Sequence, residues 1–417
     1  MNRLFTSTSP LAAVDQYYRI NAINQEMDIM TNQTWIVCID GTWNNPGQTD
    51  EDPVTKEEGV TPSNVVKTWE FFTGQVLPAR DTCSYDDNAY GTVATLASGF
   101  GPGAAIYLNG VGGESNSRFL QVWDGATGTG TSERIRDAYR FLTSYWRPGD
   151  RIMAFGFSRG AFAVRSLAGF INCVGMPLGT RMLKEETLLA LYDCYRNGRA
   201  PSTGAVSPVH WVKTVPIDFL GLWDTVGSLA MARTVNAFHQ ISPANVRYVA
   251  HALALDEQRK QFVQSNWQCS PNQHVNEVWF RGVHTNIGGG YEGDDLSNIT
   301  RIWMMSQVNR AGLACVPLPT LPGYNDCNVL EGERDSLSEF LQKFKTIGRF
   351  IQMSGLEATK RRIQQSQTLH PSVFEAMNAI PSVGQNPYRP IAQLPDGSKI
   401  APDKIDLTQW STPSNQL

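Results

Sequence analysis

The chain has 417 residues, 41% of them hydrophobic, which is enough to bury one large α/β core with insertions or two smaller ones. Its 35 basic residues are set against 39 acidic ones, a net charge of −4 with no dense Lys/Arg run, which excludes nucleic acid as the main partner. Seven cysteines, at positions 38, 83, 173, 194, 269, 315 and 327, are widely spaced and form no C-x-x-C pair, which speaks against a disulfide framework or a zinc knuckle and fits folding in a reducing cytosol.

Residues 1–33 are polar and irregular and read as an N-terminal arm. They contain no apolar stretch of the length a secretory signal needs, so synthesis in the cytoplasm without Sec export is expected. The longest apolar stretch, residues 167–176, is broken by Gly169 and Asn172 and falls far short of a bilayer span, so contact with a membrane is expected to be peripheral only.

The first clear strand is Trp35-Ile36-Val37-Cys38-Ile39, a continuous apolar run of the kind found in a central parallel strand. It stops abruptly at Asp40-Gly41-Thr42-Trp43, and loops at the carboxyl ends of parallel strands are where ligands bind. After a polar insert near residues 47–62, Val65, Val66, Trp69 and Phe72 mark one face of a helix, and Ala104-Ala105-Ile106-Tyr107-Leu108 a second buried strand. Ile135, Ala138, Tyr139 and Leu142 recur at i, i+3, i+4 and i+7 in a helix stopped by Pro148-Gly149. The strand Ile152-Met153-Ala154-Phe155 then runs into Gly156-Phe157-Ser158-Arg159-Gly160, and a helix follows with Ala161, Val164, Ala168 and Ile171 on its stripe. A second insertion is placed near residues 176–210. Val215, Ile217, Phe219, Leu220 and Leu222 form a strand ending at Trp223-Asp224. Ser242-Pro243 reads as an N-cap opening a helix through Val246, Val249, Ala250 and Leu253. Residues 275–280 form a last core strand ending in Arg281-Gly282-Val283-His284, and a helix runs from Leu296 to a stop at Gly312. Residues 316–334 read as loop, 335–365 as helix, and 381–417 as irregular and Pro-rich. Strands alternating with helices indicate a mostly parallel sheet with helices on both faces.

Strand, sharp turn and helix around Ser158 are the setting of a nucleophile elbow, in which Gly156 and Gly160 leave room for a reversal that lifts the serine hydroxyl clear of the sheet. A serine needs a histidine to take its proton and a carboxylate to orient the imidazolium. Asp224 ends a strand 66 residues after Ser158 and His284 ends another 60 residues later, giving the chain order Ser, Asp, His of α/β-hydrolases. Asp218 competes for the acid but falls within its strand. Asp256 and Glu257 are expected in surface or structural pairing, and His251 as a histidine of the core or one supporting the site. His210, His239 and His274 look solvated, and His370 is a secondary candidate. The oxyanion of acyl transfer needs two N–H donors, which are assigned to Arg159 and to Gly41 or Thr42, with Asp40 anchoring the loop. No metal or cofactor is required.

Two rival chemistries lose a necessary part. Asp40-Gly41-Thr42 is similar to the haloacid-dehalogenase phosphatase motif, but the nucleophilic Asp two residues earlier is replaced by Cys38. The Gly/Thr-rich residues 125–130 lack the Gly-Lys-Ser/Thr of a phosphate-binding loop.

Taken together, Ile39-Asp40-Gly41-Thr42-Trp43-Asn44, Gly156-Phe157-Ser158-Arg159-Gly160-Ala161, Phe219-Leu220-Gly221-Leu222-Trp223-Asp224-Thr225-Val226-Gly227, the string from His251 to Glu257, Trp279-Phe280-Arg281-Gly282-Val283-His284 and Gly288-Gly289-Gly290-Tyr291 carry a resemblance. The chain resembles a bacterial α/β-hydrolase family, long labelled a domain of unknown function, that includes the first class of type VI secretion lipase effectors. The likeness runs from about residue 34 to 313, and Leu369 to Val373 with Tyr388-Arg389-Pro390 resemble the family's tail. It departs from the family's pattern at Ile39, where Phe is common, and at Thr285-Asn286-Ile287, where Ser-Asp-Val is common.

The resemblance implies an α/β-hydrolase fold and a phospholipase of A1 or A2 type, with Ser158, Asp224 and His284 as its triad. It further implies delivery into a rival bacterium's periplasm, a secretion-apparatus carrier and an immunity protein. The expected organisation is an N-terminal arm (1–33), a catalytic core (34–315) and a C-terminal helical and irregular extension (316–417). Trp43, Trp69, Phe71, Phe72 and Trp123 are candidates for an apolar mouth that admits lipid. An esterase of the same fold acting on small acyl esters, and a non-catalytic binding module, are the alternatives.

Overall fold

The computed structural model describes residues 32–42, 44–51, 56–78, 91–111, 129–177, 183–201, 211–226, 242–262, 264–293, 295–321, 327–329, 359–379 and 387–400. Eight strands among them make one sheet: β1 (Thr34–Ile39), β2 (Thr92–Thr95), β3 (Gly103–Leu108), β4 (Arg151–Phe157), β5 (Ile217–Trp223), β6 (Val246–Ala254), β7 (His274–Phe280) and β8 (Thr368–Leu369). Their order across the sheet is β8-β7-β6-β5-β4-β1-β3-β2. Every pairing is parallel except that of β2 with β3. Seven helices are described: α1 (Asn64–Thr73), α2 (Thr129–Tyr145), α3 (Arg159–Val174), α4 (Glu185–Arg196), α5 (His284–Gly288), α6 (Asp295–Arg310) and α7 (Pro371–Asn378). The architecture is the mostly parallel α/β sheet that the alternation of elements dictates.

Side chains alternate across each strand, so a strand buried on both faces feeds two cores. Trp35, Val37 and Ile39 of β1 point into one, with Ile135, Ala138 and Leu142 of α2, Val164 and Ile171 of α3 and Leu188 and Leu191 of α4. Ile36 and Cys38 point into the other, with Val65, Trp69 and Phe72 of α1 and Trp303, Met304 and Val308 of α6. A third cluster closes the β6–β7–β8 edge, where Leu253, Leu255 and Trp279 meet Ile363, Leu369, Phe374, Tyr388 and Leu394 from the last part of the chain.

The chain passes from β1 to β3 on one side, then crosses to β4 on the other side of β1. That reversal opens a crevice at the carboxyl ends of β1 and β4, the place where open α/β sheets bind ligands. The loop at Asp40 and the turn at Ser158 meet there.

One expected element is of the wrong type. Residues 246–254 are not a helix but β6, buried along most of its length between β5 and β7. Its apolar residues fit a helical period, yet a strand covered on both faces needs no alternation, and ladder bonds on each side decide the outcome. Ser242 caps no helix; its Oγ accepts the backbone N–H of Gln268 at 2.6 Å. Residues 359–365 are likewise not helical, while the rest of the helix expected up to that point lies outside the described residues.

Candidate active site

Ser158 stands between β4 and α3 with φ 57° and ψ −122°, a backbone conformation that costs a non-glycine residue about 1–3 kcal/mol. The surroundings impose it. Its N–H extends the sheet by donating to Trp223 O at 3.0 Å, while its C=O already accepts from Phe162 in the first turn of α3. The flanking glycines are required by contact: a Cβ on Gly160 would stand 2.0 Å from Ile39 O, and one on Gly156 would stand 2.5 Å from Gly160 O.

His284 begins α5, directly after β7, and its Nε2 lies 2.8 Å from Ser158 Oγ. Its Nδ1 lies 2.6 Å from Asp224 Oδ2. The ring is held between Phe157 and Phe262, with centroids 4.7 Å away on each side. The backbone N–H of His284 donates to Glu257 Oε2 at 3.2 Å, and Glu257 is in turn bound by Arg259. Burial lowers the affinity of the imidazole for a proton, and the Asp224 contact offsets this only in part, so the ring's pKa falls below the usual histidine value. A neutral ring that donates from Nδ1 to the carboxylate presents a lone pair at Nε2 to the serine hydroxyl.

Asp224 is fully buried at the end of β5, with φ 42°. Burial would raise its pKa, but the Arg361 guanidinium and the His284 ring outweigh that and hold the carboxyl well below the ordinary range. Arg361 Nη1 lies 2.5 Å from Oδ1 and Nη2 lies 2.9 Å from Oδ2, while Ala254 N–H donates to Oδ1 at 3.1 Å. Next along the chain, Thr225 N–H donates to His251 Nε2 at 3.1 Å, and His251 Nδ1 meets Glu277 Oε1 at 2.9 Å. His251 therefore props the turn that carries Asp224, but from a strand rather than the expected helix.

The loop after β1 closes the other side. Asp40 is buried and accepts from Gly41 N–H at 2.7 Å, Ser63 Oγ at 2.7 Å and Tyr107 OH at 2.8 Å. Burial pushes its pKa up to about 6 against the lowering effect of those three donors. A Cβ on Gly41 would stand 3.2 Å from that of Ser158, so the loop backbone abuts the nucleophile. Because the Gly41 N–H is taken by Asp40, it is not available as a second oxyanion donor in this state. Thr42 Oγ1 is buried and has no hydrogen-bond partner among the described residues.

The remaining candidates fall elsewhere. Asp218 binds Ile152 N–H and Arg247 near the start of β5. Of the surface or structural pairing expected for Asp256 and Glu257, the structural kind is found, with the two residues 2% and 1% exposed. Asp256 fixes the turn before His284 by accepting from Gly282 N–H and Tyr388 OH. His370 caps α7 and stacks on Phe280, and His274 is exposed at the start of β7. His210 and His239 lie outside the described residues, as do Trp43 and Trp123. Trp69 and Phe72 belong to the core and not to a mouth, and Phe71 packs against them. Sequence reasoning missed Arg361, Glu277 and Phe262. No local pattern marks them, although Arg361 lies just before the tail segment that resembles the family.

A family model for the catalytic domain of Tle1-like phospholipase effectors of the type VI secretion system matches residues 33–307. The uncharacterized protein YEL023C of Saccharomyces cerevisiae is 38% identical over 143 residues, which cover 31% of this chain and 20% of that protein. A crystal structure of an uncharacterized protein from Pseudomonas aeruginosa is 15% identical, covering 85% of this chain and 56% of that one with a TM-score of 0.39. The Tle1 effector bound to the VgrG spike of the type 6 secretion system is 19% identical, covering 63% of this chain and 52% of that one with a TM-score of 0.31. The chain thus spans about half the length of each of these solved structures. With its strands β1 to β7 and most of α6 inside the matched region, the chain belongs to the family of Tle1-like catalytic domains of type VI secretion phospholipase effectors.

Proposed function

We propose that the chain is a serine hydrolase that cleaves carboxylic esters of phospholipids, with Ser158 as nucleophile, His284 as base and Asp224 as the acid that orients it. The observation that carries this reading is the continuous relay of 2.8 Å from Ser158 Oγ to His284 Nε2 and 2.6 Å from His284 Nδ1 to Asp224 Oδ2. Ser158 Oγ attacks the ester carbonyl while its proton passes to Nε2. The oxyanion of the tetrahedral intermediate then takes hydrogen bonds from the Arg159 N–H at the start of α3 and from Thr42, whose buried hydroxyl has no partner among the described residues. The imidazolium returns its proton to the departing alcohol or lysolipid oxygen, and water activated by the same histidine cleaves the acyl-enzyme.

Membership of the family supports phospholipid as the substrate, together with delivery by a type VI apparatus into a rival's periplasm, a carrier on that apparatus and an immunity protein at home. Among the described residues no helix is long and apolar enough to cross a membrane. The second reading is an esterase for small acyl esters; of the aromatic residues proposed for a lipid mouth, Trp69 and Phe72 lie in the core, 1% exposed each, and Trp43 and Trp123 lie outside the described residues. Liposomes of defined phospholipids assayed beside p-nitrophenyl butyrate separate the two. Release of fatty acid from the liposomes supports the phospholipase, and turnover of the short ester alone supports the esterase. Fatty-acid position on the lysolipid product distinguishes A1 from A2 cleavage.

A further inference from the structure

Asp224 has two side-chain partners, His284 and Arg361, and the proposed mechanism uses one of them. We propose that Arg361 is a positioning residue for the reaction: its guanidinium fork fixes the Asp224 carboxylate, and its charge limits how firmly that carboxylate holds a proton on His284. This rests on the reading of Ser158, His284 and Asp224 as the triad.

The guanidinium is held through both of its terminal nitrogens, while Nε is buried with no hydrogen-bond partner among the described residues. Beyond its two bonds to Asp224, Nη1 donates to Ala254 O at 3.0 Å and Nη2 to Phe262 O at 2.7 Å, so it ties the end of β6 to the loop whose Phe262 ring abuts His284. The backbone around it is pinned as well. Thr359 N–H donates to Gln258 O, Gln393 N–H to Arg361 O and Ile363 N–H to Gln393 O. The side chains of Arg361 and Asp224 are 2% and 0% exposed, so the pair is out of water, where a fork-to-fork contact has its greatest geometric effect.

The charge balance around His284 follows from the groups that face it. Glu257 and Arg259, both after β6, form one ion pair, and Asp224 and Arg361 form a second. Ser158, Phe157 and Phe262 complete the surroundings of the ring, and His251 reaches the turn at Asp224 through Thr225 N–H. With both carboxylates paired, the neutral imidazole is favoured in the resting enzyme and the base stays available at lower pH. Without Arg361, Asp224 becomes a lone buried carboxylate whose nearest cation is the imidazolium itself, and His284 holds its proton more firmly.

The full-length chain is assayed with p-nitrophenyl butyrate from pH 4.5 to 9, as wild type, Arg361→Gln, Arg361→Lys and Ser158→Ala, with the His284 Nδ1–H proton followed by NMR as a readout independent of turnover. In Arg361→Gln the acid limb of kcat/KM and the imidazole titration should both move up by about one pH unit. In Arg361→Lys, which keeps the charge and loses the fork, the limb should stay in place while kcat falls about tenfold. An unmoved limb and titration in Arg361→Gln, with kcat lowered evenly at every pH, would reduce Arg361 to structural support and overturn the proposal. If Arg361→Gln does not fold, Arg361→Lys decides: a displaced limb or a wild-type kcat overturns the proposal, and an unmoved limb with reduced kcat supports it. An active Ser158→Ala chain would instead remove the triad reading beneath it.

Discussion

Gly160 lies against the carbonyl oxygen of Ile39 so closely that a Cβ would stand 2.0 Å from it, and 2.5 Å from the oxygen of Asp40. Helix α3 and the loop after β1 therefore meet backbone to backbone at the point where both sides of the site converge. Gly160→Ala would raise helix propensity by about 1 kcal/mol if the position were open. The contact predicts the reverse, a loss of about 3 kcal/mol or more measured by urea denaturation. A variant as stable as the wild type would mean that the elbow is not packed as described.

Asp224→Asn keeps the shape of the acid and removes its charge. The amide leaves Arg361 facing a neutral group and no longer favours the productive tautomer of His284. A fall in kcat of about 10⁴ is expected, as in related triads. The check is steady-state turnover on a chain whose circular dichroism matches the wild type.

The legibility of the site follows from where its parts sit. Ser158, Asp224 and His284 each follow an apolar strand, so the pattern of strand ends alone brings them to one edge of the sheet. The two central strands β1 and β4 announce themselves as unbroken apolar runs. Strand β6 does not, because Val246, Val249, Ala250 and Leu253 satisfy a helical spacing as well as a buried strand, and only its ladders to β5 and β7 distinguish the two. Arg361 is 137 positions from Asp224, and a contact that depends on how the end of the chain folds back leaves no local signal. For Asp256 and Glu257 the choice between surface and structural pairing has the same origin: their charge is compensated by partners whose approach only the tertiary fold reveals.

His251→Phe tests the support behind the acid. The substitution removes the acceptor of Thr225 N–H and leaves Glu277 without its buried histidine partner. A loss of about 2–4 kcal/mol is expected in thermal or denaturant unfolding, with a lowered kcat and an almost unchanged KM. A KM effect without a kcat effect would point to a role in binding.

Asp40 gives the stability a pH dependence of known sign. Its pKa rises from an ordinary 3.8 to about 6 in the fold, so between those values the native state holds more protons than the unfolded chain. Stability contributed by this group is present below about pH 4 and is lost as pH rises through 6, by up to about 3 kcal/mol. Glu257 acts in the opposite sense: its pKa falls to about 2, with burial outweighed by Arg259, so its stabilisation is present above 4.5 and lost as pH drops toward 2. In urea midpoints taken from pH 4.5 to 7.5, the wild type should lose stability relative to Asp40→Asn as pH rises, a difference that cancels the opposite contributions of His284 and His370, whose burial lowers their pKa values. A slope that is identical in the two chains would contradict the buried ionisation.

The central claim is that Ser158 is the nucleophile, and the most direct measurement is hydrolysis by Ser158→Ala against wild type, on phospholipid liposomes and on p-nitrophenyl butyrate, with the fold checked by its melting curve. Turnover should fall by about 10⁶ in kcat, toward the uncatalysed rate, on whichever substrate the wild type cleaves, while the melting temperature stays near that of the wild type, because the alanine keeps the same backbone conformation. Undiminished hydrolysis by the folded variant would contradict the account.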